Sequence, residues 1–119
     1  MKVAVTSKGT DLDSEVDPRF GRAAYILIVE TDDDTVNVMD NSENVNAFKG
    51  AGIQAAASVG DSGAEVLLTG YCGPNAFKTL VAAGVKVAND ASGTVRAAVD
   101  AFKSGNVIFT DVANVDGHW

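Results

Sequence analysis

The chain has 119 residues, 46% of them hydrophobic, with a formal net charge of −7 and a pI near 4.4. That length suits one domain with its own core, and the acidity opposes a nucleic-acid role, because phosphate backbones select basic faces. A single cysteine excludes an intramolecular disulfide framework, no apolar run approaches the roughly 18 residues of a membrane span, and Met1–Val5 lacks the apolar core of a signal peptide, so a soluble, cytoplasmic protein is expected.

Lys2 to Thr6 alternates around Val3 and Val5 and runs into Ser7-Lys8-Gly9-Thr10, which predicts a strand followed by a loop. The loop extends to Arg22, longer than most connections in compact domains, and such loops are often functional. It opens acidic at Asp11, Asp13, Glu15 and Asp17 and closes on Asp17-Pro18-Arg19-Phe20-Gly21-Arg22-Ala23. Pro18 and Gly21 confine that backbone to a turn, while Arg19 and Arg22 carry positive charge into an acidic neighbourhood. Ala24 to Glu30 reads as a strand buried on both faces. Asp32-Asp33-Asp34 is a hairpin loop and Thr35 to Met39 the antiparallel partner.

Asp40 to Asn46 is polar and loop-like, and a small-residue helix begins near Gly50 with Ile53, Ala56 and Ala57 on its apolar side. Gly60-Asp61-Ser62-Gly63 ends it, and its alanines and glycines predict close packing against the sheet. Glu65 to Thr69 is a short apolar strand. Gly70-Tyr71-Cys72-Gly73-Pro74 leads into a second helix, with Pro74 in the first turn, Phe77, Leu80 and Val81 buried, and Gly84 as its stop. Val85 to Ala88 is the next strand, and Asn89 to Gly93 a turn with Ser92 as N-cap. A third helix presents Val95, Ala98, Val99 and Phe102 and ends at Gly105. Val107-Ile108-Phe109 reads equally as a short strand or as an apolar patch closing the core. A single domain over 1–105 is expected, with 106–119 a tail, partly packed or mobile at Asp116-Gly117-His118-Trp119.

The order β-β-β-α-β-α-β-α defines an α/β protein. Right-handed crossovers make the last two strands parallel to the first, and the meander puts strands 2 and 3 on its other side. The expected sheet is mixed and five-stranded, in order 3-2-1-4-5 with strand 2 antiparallel and helices on both faces. Its topological switch point lies above the carboxyl ends of strands 1, 4 and 5, where open α/β sheets bind ligands. Three loops empty there, Ser7–Arg22, Gly70–Asn75 and Asn89–Arg96, and two of them run into helix N-termini, which favour anions. All three arginines of the chain, Arg19, Arg22 and Arg96, fall on or beside these loops. A small anionic ligand follows.

Four stretches in this order carry a resemblance: Lys-Val-Ala-Val-Thr-Ser from Lys2, Asp-Pro-Arg-Phe-Gly-Arg-Ala from Asp17, Thr-Gly-Tyr-Cys-Gly-Pro-Asn-Ala-Phe from Thr69, and Ala-Ala-Gly-Val-Lys-Val from Ala82. Across roughly Lys2 to Phe102 the chain resembles the dinitrogenase iron-molybdenum cofactor biosynthesis family, and within it the short stand-alone type of sulfate-reducing bacteria. The resemblance implies a ribonuclease-H-like fold and a non-catalytic protein that binds, carries or stores a metal–sulfur cluster. A molybdenum–copper sulfide held without covalent links is the implied cluster, with an iron-containing cofactor precursor as alternative. Such a polyanion would suit Arg19, Phe20, Gly21, Arg22, Gly70, Tyr71, Cys72, Gly73, Pro74, Asn75, Asn89 and Arg96. A P-loop ATPase of the iron–sulfur carrier type is the implied partner, and its docking to a regulatory domain is the alternative function. The short tail, lacking a Gly/His/Met-rich extension, favours the stand-alone type over a direct nitrogenase role.

Each candidate has a plainer role beside the functional one. Arg19 and Arg22 either touch the ligand or pair with Asp11, Asp13 or Asp17, as surface charges commonly do. Cys72 either ligates metal as a thiolate before a helix N-terminus or fills space beneath Tyr71. Asn75 and Asn89 either orient a ligand or cap helices. Phe20 belongs either to an apolar rim with Tyr71 and Pro74 or to the core. His118 with Asp116 is a possible metal pair, but one His and one Cys cannot build a structural zinc site from those residue types. A two-metal nuclease is disfavoured, since Asp11, Asp13, Glu15 and Asp17 cluster in one loop rather than on separate elements. An enzyme acting on a small anion lacks a nucleophile–base pair.

Overall fold

The computed structural model describes residues 1–41 and 51–110. The strands are β1 (Lys2–Ser7), β2 (Tyr25–Glu30), β3 (Val36–Asp40), β4 (Val66–Leu68), β5 (Lys86–Ala88) and β6 (Phe109–Thr110), and the helices α1 (Ala51–Asp61), α2 (Pro74–Ala82) and α3 (Val95–Lys103). They form one mixed sheet in the order β3-β2-β1-β4-β5-β6. The expected five-strand order is present, β2 is antiparallel to β1, and β1, β4 and β5 are mutually parallel. The additional strand comes from the segment that reads two ways in the sequence: Phe109 and Thr110 pair antiparallel with Ala88 and Val87.

Alternation along the strands sorts their side chains between two cores. Ala4, Ile26, Ile28, Leu67 and Val87 face α1 and α2, where they meet Ala55, Ala56, Val59, Phe77 and Leu80. Val3, Val5, Leu27, Val29, Val66, Leu68 and Ala88 face α3, where they meet Val95, Ala98 and Val99. Burial on both faces explains why β2 is continuously apolar. Helices therefore cover both faces, as expected.

The helices depart from the expected pattern in detail. The buried side of α1 is Ala55, Ala56 and Val59, whereas Ile53 is 44% exposed and Ala57 points outward. Small residues in α1 serve a helix neighbour as well as the sheet: a Cβ on Gly52 would lie 3.2 Å from the Ala76 Cβ, and one on Gly60 would lie 2.8 Å from that of Ala83. Val81 is 54% exposed on α2, against the expectation that it is buried; the helix is nine residues long and its inner side is already filled by Ala76, Phe77 and Leu80. The N-cap of α3 is Thr94, not Ser92: its hydroxyl accepts from the Ala97 amide at 3.1 Å. Asp116 and His118 lie outside the described residues.

Candidate functional site

Beyond the carboxyl end of β1 the chain does not wander. The Asp17 amide donates to the Thr6 carbonyl at 3.0 Å, and the Val16 amide to Gly93 at 2.9 Å. Tyr71 and the Pro18–Phe20 segment pair as a short parallel bridge, with the Tyr71 amide donating to Pro18 and the Phe20 amide to Tyr71. The Asp90 and Ala91 amides in turn reach the carbonyls of Gly70 and Thr69. All three loops expected to converge are thus joined by backbone hydrogen bonds at one end of the sheet. A buried hydroxyl pair lies beneath them: Thr6 Oγ1 donates to the Asp17 carbonyl at 2.6 Å and lies 2.9 Å from Thr69 Oγ1. Thr6 spends its one proton on Asp17, so Thr69 is the donor to Thr6.

Gly21 gives the arginine turn its shape, holding φ at +76°, where a side chain is strained. Phe20 packs into the core with Ala4, Ile26 and Cys72, so it anchors the turn from below rather than forming a rim. Anchored this way, the turn projects Arg19 and Arg22 outward as exposed side chains. Arg19 Nε lies 3.8 Å from Asp17 Oδ1, and the same carboxylate oxygen accepts the Arg19 amide at 3.0 Å. Asp17 is buried, so this carboxylate braces the backbone of the turn while the Arg19 side chain keeps 57% of its surface in solvent. Tyr71 is 40% exposed beside it.

The two helix N-termini differ. At the start of α3 the amides are occupied: Val95 donates to Ser14, Arg96 to Leu12 and Ala97 to the Thr94 hydroxyl. Arg96 itself directs Nε to Asp13 at 3.2 Å, on the acidic loop. The expectation that this N-terminus and Arg96 serve an anion therefore meets a competitor, the Leu12–Ser14 carbonyls and Asp13. At the start of α2, Gly73 is an N-cap without a side-chain hydrogen bond, Pro74 has no amide to offer, and the Asn75 and Ala76 amides have no acceptor among the described residues. That open N-terminus follows directly on Tyr71, which is bridged to Arg19.

Cys72 is 1% exposed in the core shared with Phe20 and Phe77. Burial pushes its thiol up to about 12, so at neutral pH it is protonated, which favours the space-filling role over thiolate ligation. Among the described residues no group of three or more His, Cys, Asp or Glu is placed to hold a metal ion. Gly70 supplies close-packed backbone, Gly73 is the N-cap of α2, and Asn75 is exposed at the first turn of that helix.

A cavity of about 570 Å³ lies to one side, between α3, the turn after β5 and the Asn106–Thr110 segment. Its lining includes Leu68, Ala98, Ala101, Val107 and Asp90 but no lysine or arginine, so it suits a polyanion poorly. Asn89 belongs to this region, and both polar atoms of its side chain are buried without a hydrogen-bond partner among the described residues. Of the two roles the sequence offers Asn89, orienting a ligand or capping a helix, the second is not met: its side chain caps no helix among the described residues. Inspection passes over Asn41, which is buried and donates through Nδ2 to the Ala23 carbonyl at 2.8 Å, tying the end of β3 to the end of the arginine turn. An isolated asparagine in a polar run gives no sequence signal for that clamp.

At the switch point of this α/β sheet, projecting arginines thus lie near a helix start whose first amides find no acceptor among the described residues. Residues 1–105 match the dinitrogenase iron-molybdenum cofactor family, and the chain belongs to that family. Among solved structures, the chain is similar to the apo form of the orange protein of Desulfovibrio gigas, with 46% identity, a TM-score of 0.93 and 96% of each chain covered. A candidate NifB protein from Thermotoga is 39% identical at a TM-score of 0.80, over 96% of this chain and 98% of the other. A candidate dinitrogenase from Methanocaldococcus jannaschii, at 18% identity and a TM-score of 0.67 over 94% and 96% of the two chains, shares the fold. No curated protein matches the chain.

Proposed function

We propose that this protein binds and carries or stores a metal–sulfur cluster, held without covalent links above the carboxyl ends of β1, β4 and β5. The observation that carries the proposal is the open N-terminus of α2 beside the Arg19–Tyr71 bridge, in a member of a cofactor family. Exposed guanidinium groups and helix-start amides without an acceptor among the described residues favour a polyanion, and the Tyr71 ring supplies an apolar wall for soft sulfide edges. Arg19 and Arg22 provide the charge, Gly21 and Phe20 hold them in place, Gly70 to Pro74 shape the approach, and the Asn75 and Ala76 amides face the anion. A molybdenum–copper sulfide is the cluster we favour, with an iron-containing cofactor precursor as the alternative composition, and the cytoplasm is the compartment.

No covalent chemistry is assigned to the chain; its contribution is electrostatic and steric. Anaerobic reconstitution with molybdate, copper and sulfide tests the proposal. A stoichiometric visible chromophore that is lost in Arg19→Ala plus Arg22→Ala is the expected result. If neither this mixture nor an iron–sulfur precursor gives a chromophore, the proposal fails.

A further inference from the structure

The cavity beside α3 is separate from the site described above. None of residues 17–23 or 70–76 lines it; its walls are Leu68, the turn after β5, the side of α3 at Ala98 and Ala101, and the 106–110 segment. Its volume of about 570 Å³ falls in the range of small-molecule sites. Alanines at 98 and 101 keep the helix wall low, where larger side chains would fill the space. Ile108 lines the cavity with 86% of its surface in solvent, and Phe109 with 41%. Apolar side chains left in water at the edge of a cavity gain when a ligand covers them.

Asn89 gives this lining its polar handle. Its Oδ1 and Nδ2 are both buried, and neither has a hydrogen-bond partner among the described residues. Native proteins leave few such groups, because an unmade bond costs free energy. The backbone on either side of the contact is fixed, with the Asp90 amide donating to Gly70 at 3.0 Å and the Ala91 amide to Thr69 at 2.9 Å. The terminal torsion of an asparagine is soft. The carboxamide can therefore present its edge to the cavity it lines while that backbone stays in place.

What the lining holds and lacks selects the ligand. No lysine or arginine contributes to it, and Asp90, exposed at its edge, adds negative charge, so phosphates, carboxylates and thiometallates are disfavoured. A single exposed carboxylate holds a cation weakly. A carboxamide carries an acceptor and a donor side by side. Both are satisfied at once by a donor next to an acceptor, as when asparagine reads the N6/N7 edge of adenine. We infer that this cavity is a second binding site, for an uncharged planar heterocycle of nucleobase type whose donor–acceptor edge pairs with Asn89. The site is independent of the cluster reading.

The test titrates metal-free protein with adenosine, which has an amino–aza edge, and with uridine, which has a lactam edge. At least one of them is expected to bind and to shift the NMR signals of the Asn89 side-chain NH₂ and of the Ala98 and Ala101 methyl groups. Analogues without the donor, purine riboside for adenosine and 3-methyluridine for uridine, should bind roughly tenfold more weakly. Asn89→Leu, which keeps the branching and removes both polar atoms, should weaken the nucleoside by at least about tenfold. Ala101→Leu intrudes from α3 and leaves the carboxamide intact; it should abolish binding, and it serves as the variant if Asn89→Leu does not fold. The inference is overturned if neither nucleoside moves those signals, if the donor-less analogue binds as well as its parent, or if either variant binds like wild type. No metal enters the experiment, so these failures leave the roles of Arg19, Arg22 and the α2 amides standing.

Discussion

Gly70 lies so close to Pro18 that a Cβ built on it would stand 2.6 Å from the Pro18 carbonyl oxygen and 2.6 Å from its Cα. The obstacle is backbone, which cannot step aside as a flexible side chain can. The neighbouring Tyr71 amide donates to that same Pro18 carbonyl, so contact and hydrogen bond together hold the arginine turn against the end of β4. Gly70→Ala is expected to destabilise the fold by about 1–3 kcal/mol, the usual cost of overpacking. Chemical denaturation measures it. Cluster uptake should fall further than stability does, because Arg19 is displaced.

Cys72 makes a prediction about alkaline pH. Its thiol titrates near 12 in the fold and near 9.0 when exposed. Below pH 9 both states keep the proton and the difference contributes nothing. Between pH 9 and about 12 the unfolded chain releases the proton and the folded chain retains it, so stability falls as pH rises, by about 1.4 kcal/mol per unit. Lysines and tyrosines titrate in the same window, so the measurement is the difference between wild type and Cys72→Ala. The variant should lack this part of the slope. It should also retain cluster binding, whereas loss of binding in a folded Cys72→Ala would restore the thiol to the site.

Arg96 separates the two helix starts. Its Nε engages Asp13 in an exposed pair, of a kind contributing about 0–1 kcal/mol. Arg96→Ala should therefore leave cluster uptake within about twofold of wild type, well above what the Arg19/Arg22 double variant retains. Equal losses in the two would mean that α3 also faces the cluster.

Thr94 supplies the cap that closes that second helix start. Thr94→Ala should cost about 1 kcal/mol, seen as a lower melting temperature. Ser92→Ala, one turn residue away and exposed, should change stability by less than about 0.5 kcal/mol.

How far the sequence carries depends on what each residue answers to. Strand order was legible because period-2 burial and right-handed crossovers constrain it, and the doubly buried β2 has an unbroken apolar run to announce itself. The convergence of the three loops followed from that order. Side-chain assignments were less legible wherever neighbours distant in sequence compete. Ser92 and Thr94 are equally good caps on paper, and only the bridge from Glu15 to Thr94 decides between them. Phe20 reads as rim or core until the turn is placed over Ala4 and Ile26. Val81 and Ile53 fall on apolar spacings in helices whose inner sides were already complete without them. The orphaned carboxamide of Asn89 is invisible to any local pattern, because it is defined by what fails to reach it.

The bridges Arg19–Tyr71 and Glu15–Thr94 join positions more than fifty residues apart in the chain. An emerging polypeptide therefore cannot close the Arg19–Tyr71 bridge until Tyr71 has been made, nor the Glu15–Thr94 bridge until Thr94 has. Long-range closures of this kind also come late and slowly in folding. A half-made chain has the arginines but not the amides to go with them. On the reading proposed above, cluster uptake then waits for the start of α2, and a product truncated before Tyr71 has the charge without the seat for it.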